Sequence, residues 1–146
     1  ATVADNVRYG RLGISDADVA DRPIRIFGGT VDDYNPIALC KPYVERLKAA
    51  GHDVQLTEYP NAPHSFDNPF GAQPAALSKD SQSVRHCTVR EEPAGLLINA
   101  STKAPFNYQD PCVERGPHIG HDPEATRQAK ATVKAFVQGV FKLKSE

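Results

Sequence analysis

The sequence predicts an α/β fold, parallel strands flanked by helices, and three features carry that expectation. Residues 22–67 run through an apolar strand, a loop, a helix, a second apolar strand and a second loop. That succession is how parallel sheets are built, because a parallel return needs a crossover. Both loops leave the C-terminal end of a strand, the edge at which open α/β sheets place their chemistry. The chain then closes on a long apolar stripe at helical spacing, suited to lie against a sheet.

Each element has its own warrant. Residues 1–21 carry Ser15-Asp-Ala-Asp18, a capping-box pattern that could start a helical turn, although a linker is the simpler expectation. Pro23 to Phe27 is the first strand, apolar at Ile24, Ile26 and Phe27 and ended by Gly28-Gly29. In the helix that follows, Asn35 is the expected cap, Pro36 suits the first helical position and Gly51 falls just past the end. Pro42 removes a hydrogen bond and crowds the carbonyl of Ala38, so a short turn at 36–40 should precede the main helix at 42–50. Cys40, Tyr43, Val44, Leu47 and Ala50 recur at helical spacing as its buried face. Residues 53–59 form the second strand, with Val54 and Leu56 on one side.

From 68 to 121 the composition turns to Pro, Gly, Asn and Ser. Two strands, SVRHCTVRE and GLLINA, are expected there as a hairpin joined by Glu92-Pro-Ala-Gly95. This stretch reads as an excursion from one domain, 1–146, and not as a second domain. Asp122 is a good cap and Pro123 a good first residue for the closing helix, whose Ala125, Ala129, Val133, Phe136, Val137 and Val140 form the stripe. That helix is read as packed on the sheet.

Composition narrows the function. A chain of 146 residues with 40% apolar and 24% charged residues is one globular domain or a piece of a larger one. A net charge of −1 gives no support to a nucleic-acid or anionic-membrane partner. No apolar run approaches the ~20 residues of a membrane span. ATVADNVRYG lacks the basic-then-apolar pattern of a signal peptide. Cys40, Cys87 and Cys112 fit no zinc spacing. Cys87 and Cys112 flank a Gly/Pro-rich segment and could bridge it, which would suggest a periplasmic or secreted setting; without the bridge a cytoplasmic one is expected.

Acyl transfer needs a base for the nucleophile's proton and a carboxylate to orient that base. Asp32 or Asp33, in the first loop, and His64, in the second, arrive in the order acid, then base, though such residues in loops are more often plain surface groups. Around them, GGTVDDYNP, ERLKAAG and YPNAPHSFD resemble the dienelactone hydrolase family of α/β-hydrolases. In that family the acid lies four residues before a proline in a Gly-x-x-Asp loop, and the histidine in a Gly/Ala-x-His-x-Phe loop. The resemblance therefore implies Asp32 as the acid, counted back from Pro36, and His64 as the base; Ala62-Pro63 departs slightly from the usual residues before the histidine. It covers residues 22–67 well and the closing helix more loosely, and 80–118 look like an elaboration seen in some members.

The resemblance also implies a Gly-x-[Cys/Ser]-x-Gly nucleophile elbow ahead of the acid, and none is present. Gly13-Ile-Ser15-Asp-Ala17 lacks the second glycine, Cys40 follows Asp32 on the inner face of a helix, and Ser65 adjoins the histidine with its side chain expected to point away. The chain thus reads as the C-terminal part of an ester or lactone hydrolase whose nucleophile and oxyanion loop lie outside it. It should be inactive alone, and two strands should leave an open sheet edge for an N-terminal hydrolase segment or a second copy of the chain. No cofactor or metal is expected. The alternative is an inactive α/β module that binds a partner or ligand through that edge. His118, His121 and Asp122, with His86 as a fourth, are a weaker candidate metal group, read in preference as polar loop residues. Asn99-Ala-Ser101 matches a glycosylation acceptor, and Arg85, Arg90 and Arg115 are expected to be solvated.

Overall fold

The computed structural model of the chain describes residues 22–143. The Ser15-Asp-Ala-Asp18 pattern and Ser15 itself lie outside those residues. At its centre are β1 (Ile24–Gly29) and β2 (Val54–Tyr59), paired in parallel from Ile24 opposite Val54 to Gly29 opposite Tyr59. Successive side chains on a strand face opposite ways. Ile24, Ile26, Val54 and Leu56 accordingly pack on one face, against Tyr43, Val44 and Leu47 of α1 (Lys41–Ala49). Phe27 and Tyr59 point to the other face, into a cluster with Ala62, Phe66, Ala125 and Ala129. The last two belong to α2 (Pro123–Phe141). The result is helix, sheet, helix, with one apolar cluster in each gap.

The crossover follows the break expected at Pro42. A 3-10 turn, Ile37–Cys40, leads into α1, and Gly51, at a φ of 87°, takes the left-handed position past its end. Two details differ. The turn starts at Pro36 with no side-chain cap, because the Asn35 N–H is turned back onto Asp32. Of the expected buried face, Cys40 is only partly covered, since it belongs to the turn at 37–40, and Ala50 is exposed, since it lies past the last residue of α1 as its cap.

Asp122 caps α2 as expected, its Oδ1 accepting from the N–H groups of Glu124 and Ala125 at 3.0 and 2.9 Å. The stripe along α2 is buried only at its start. Ala125 and Ala129 are covered, whereas Val133 and Val140 are 41% and 42% exposed. Phe136 is partly screened by the guanidinium of Arg25, which lies 4.7 Å over its ring.

The 68–121 excursion holds six short strands where two were expected. β5 (Val89–Glu92) and β6 (Leu96–Asn99) form the hairpin, joined by a 3-10 turn at Pro93–Gly95. Its first strand is shorter than expected because residues 82–83 pair elsewhere. β3 (Ala76–Leu77) pairs with β8 (His118–Ile119), and β4 (Gln82–Ser83) with β7 (Glu114–Arg115). A Cys87–Cys112 disulfide joins the two legs, and Cys40 is free. No helix among the described residues is long and apolar enough to cross a membrane.

Candidate active site

The two loops leaving β1 and β2 meet because a glycine lets them. A Cβ on Gly29 would lie 1.9 Å from the carbonyl oxygen of Ala62, so only a bare backbone fits there. The same approach lets the Val31 N–H donate to that oxygen at 3.3 Å and the Asn61 N–H donate to Thr30 Oγ1 at 2.9 Å. Asn61 and Ser65 take left-handed backbone conformations, which turn the second loop sharply on each side of His64.

This convergence places Asp32 Oδ2 3.0 Å from His64 Nδ1. A carboxylate can only accept, so Nδ1 carries the hydrogen, and in the neutral ring Nε2 then keeps its lone pair. Nε2 has no hydrogen-bond partner among the described residues. The other carboxylate oxygen, Oδ1, accepts from the backbone N–H groups of Tyr34 at 2.9 Å and Asn35 at 2.7 Å. Asp32 is thus held at both oxygens, with its side chain 12% exposed, while the His64 ring remains 24% exposed. The Tyr34 ring lies against the imidazole, centroids 4.6 Å apart and tilted by 58°. From below, the His64 carbonyl accepts from the Gly120 N–H, and the Phe66 carbonyl from the Asp122 N–H and the Thr126 hydroxyl. The excursion and α2 therefore fix the base loop at its backbone.

The neighbouring carboxylate serves other partners. Asp33 accepts from the His118 backbone N–H at 2.8 Å and pairs with His118 Nδ1 at 2.9 Å, and its backbone carbonyl accepts from Arg85. Burial pushes the Asp33 carboxyl up, but the hydrogen bonds from His118 and the charges of His118 and Arg85 outweigh it and hold the group below its ordinary range. Arg85 also pairs with Glu114 at 2.6 Å and its side chain is only 21% exposed, which corrects the expectation that it is solvated.

The other candidates separate. His118 goes to Asp33, His121 Nδ1 to Gln73, and Asp122 to its cap, and no group of three ligands able to hold a metal occurs among the described residues. Asn99 is 2% exposed, with Nδ2 on Asp110 and Oδ1 accepting from Ser101 and Thr102, so the folded chain offers no glycosylation acceptor there. Burial and the charge of Asp32 both push the Cys40 thiol up, which keeps it un-ionised and a poor nucleophile. A groove of 440 Å³ opens beside the pair, lined by Asp32, His64, Ser65, Cys40, Phe27 and Ala129 among others.

Sequence reasoning missed the parts of Ser83, whose Oγ donates to the Tyr34 carbonyl at 3.1 Å, and of Arg85 and His118 in holding the acid loop, and it missed the two N–H donors to Asp32. The donors had a local signal. An aspartate accepting from N–H groups two and three residues on is a recurrent turn, and Asp32-Asp33-Tyr34-Asn35 suits it. The other three act across loops and leave no such trace.

Parallel strands whose C-terminal loops bring a carboxylate onto an imidazole define the chain as an α/β protein. The model of the dienelactone hydrolase family matches residues 8–88, more than half of the sequence, and the chain belongs to that family, whose members are hydrolases of the α/β-hydrolase fold. Comparison with curated proteins and with solved structures gave no match.

Proposed function

We propose that the chain supplies the acid and base of a Cys/Ser-His-Asp triad in an ester or lactone hydrolase of dienelactone hydrolase type, with the nucleophile on a segment outside these 146 residues. One observation carries the reading: Asp32 is gripped by two backbone N–H groups at one oxygen and bonded to His64 Nδ1 at the other. This is the arrangement a base needs to hold one tautomer and to be stabilised once protonated.

In this mechanism Nε2 of His64 takes the proton of the Cys or Ser as that atom attacks the acyl carbon. The imidazolium so formed faces the Asp32 carboxylate. It then gives the proton to the departing alkoxide, whose C–O bond breaks. The same nitrogen next deprotonates a water that hydrolyses the acyl-enzyme. The chemistry calls for no metal or organic cofactor. The groove beside His64 is the entry for a small ester or lactone, and its walls come from residues 26–67 and from Ala129 and Val133 of α2. β1 pairs with β2 alone among the described residues, and its other edge is the place for an N-terminal hydrolase segment or a second copy.

The test is reconstitution. The chain by itself should not turn over nitrophenyl acetate, whereas the chain joined to or co-expressed with an N-terminal segment bearing a Gly-x-[Cys/Ser]-x-Gly elbow should. His64→Ala should abolish that activity, and Asp32→Asn should lower kcat by roughly 10²- to 10⁴-fold. Turnover by the lone chain that survives a Cys40→Ala, Ser15→Ala double change but is lost with His64→Ala would refute the account of the nucleophile. A reconstituted complex that assembles yet hydrolyses nothing would instead favour an inactive module that docks through its sheet edge.

A further inference from the structure

We propose that Ser83 and Arg85 are positioning residues for Asp32, acting through the two peptide planes that donate to its carboxylate; the inference rests on the hydrolase reading above. The first plane joins Asp33 to Tyr34 and the second joins Tyr34 to Asn35. Their N–H groups are the two donors to Asp32 Oδ1, at 2.9 and 2.7 Å. A trans peptide is rigid and planar, so its carbonyl and its N–H, on opposite edges, move as one body.

Both far edges are held by the excursion. The carbonyl of Asp33 accepts from Arg85 Nη1, and the carbonyl of Tyr34 accepts from Ser83 Oγ at 3.1 Å. Each N–H aimed at Asp32 is therefore aimed from behind by a side chain 49 or 52 residues further along. Ser83 is 1% exposed, and its Oγ also accepts from the Arg85 N–H at 3.4 Å, which leaves its own hydrogen for Tyr34. Arg85 is held in turn by Glu114, the residue opposite Ser83 in the β4–β7 pair. The Cys87–Cys112 disulfide closes the same two legs just beyond them. Neither Ser83 nor Arg85 lines the groove, so both act through Asp32 and not on substrate.

The full chain with ¹⁵N-labelled histidine rings tests this directly, because five histidines give a resolvable set and His64→Gln assigns the relevant one. Wild type should show the Nδ1–H tautomer at His64. Ser83→Ala and Arg85→Ala should each lose part of that signal in favour of Nε2–H while still melting cooperatively, a change that mere loss of stability would not produce. In the reconstituted enzyme each should lower kcat about tenfold with KM held, the effect of one lost hydrogen bond. Ser83→Ala removes a single oxygen and remains the usable variant if Arg85→Ala does not fold. If Asp32→Asn loses the Nδ1–H signal but Ser83→Ala and every folded Arg85 variant keep it, the positioning role is overturned and the hydrolase reading stands. If Asp32→Asn keeps it too, the hydrolase reading falls and this inference falls with it.

Discussion

Adding one methyl group at Gly29 is the sharpest perturbation available, because that glycine sets the distance between the loops of Asp32 and His64. An ideal Cβ there lies 1.9 Å from the Ala62 carbonyl oxygen and 2.6 Å from its carbon. Ordinary contact begins near 3.4 Å, so the two backbones must part by about 1.5 Å. Ala62 is fully buried against Tyr59 and Phe66, which leaves its carbonyl no free direction in which to yield. Overpacking of this kind costs about 1–3 kcal/mol. At roughly 4 °C per kcal/mol that is a melting temperature lower by about 4–12 °C. The functional effect is larger, since a shift of about 1 Å between catalytic groups costs on the order of 10²-fold in rate. Gly29→Ala should therefore melt early, lose the His64 Nδ1–H signal, and lose most of its hydrolysis when reconstituted. A Gly29→Ala protein with an unaltered melting temperature and an intact Asp32–His64 hydrogen bond would refute the reasoning.

Three further outcomes are expected. Gly139, on the exposed part of α2, has open space where a Cβ would go, so Gly139→Ala should stabilise the fold by about 0.5–1 kcal/mol in urea titrations. Losing the Cys87–Cys112 bridge, by paired serine substitution or by reduction, should cost about 3–4 kcal/mol for a loop of 25 residues; thermal melts with and without reductant would show it. For Asp33, the folded carboxyl ionises more readily than the unfolded one. Its contribution is then complete above about pH 4, where the unfolded group is ionised, and is lost as the pH falls through the lower folded value. The stability gap between wild type and Asp33→Asn in urea should shrink on acidification, and a gap constant with pH would contradict the assignment.

The parts of this chain legible in sequence are those whose cause is local. Ile24 to Gly29 and Val54 to Tyr59 announce themselves as apolar runs between breakers, and Asp122-Pro123 marks a helix start without help from the rest of the fold. The meeting of Asp32 with His64 follows from parallel strand order and could be anticipated for the same reason. The excursion could be read only in part, at its hairpin and at the Cys87–Cys112 bridge. Its strands are two to four residues long, too short for any periodicity, and their pairings, such as Ala76 with Ile119 and Ser83 with Glu114, are long-range. Arg85 looked like an ordinary surface cation because nothing near it in sequence reports Asp33 or Glu114. The exposure of Val133 and Val140 was equally hidden, since an apolar stripe says which face wants cover and not how far along the helix the cover extends.

Asp32 and Asp33 are adjacent, yet one turns to His64 and the other to His118 and Arg85. Such divided allegiance makes the number of residues in this turn as important as their identities. Deleting one residue between Gly29 and Asp32 would carry Asp33 into the place beside His64 and leave His118 and Arg85 facing an aromatic ring. Attempts to retune the groove for new esters should accordingly vary the letters of residues 30–34 and leave their count alone.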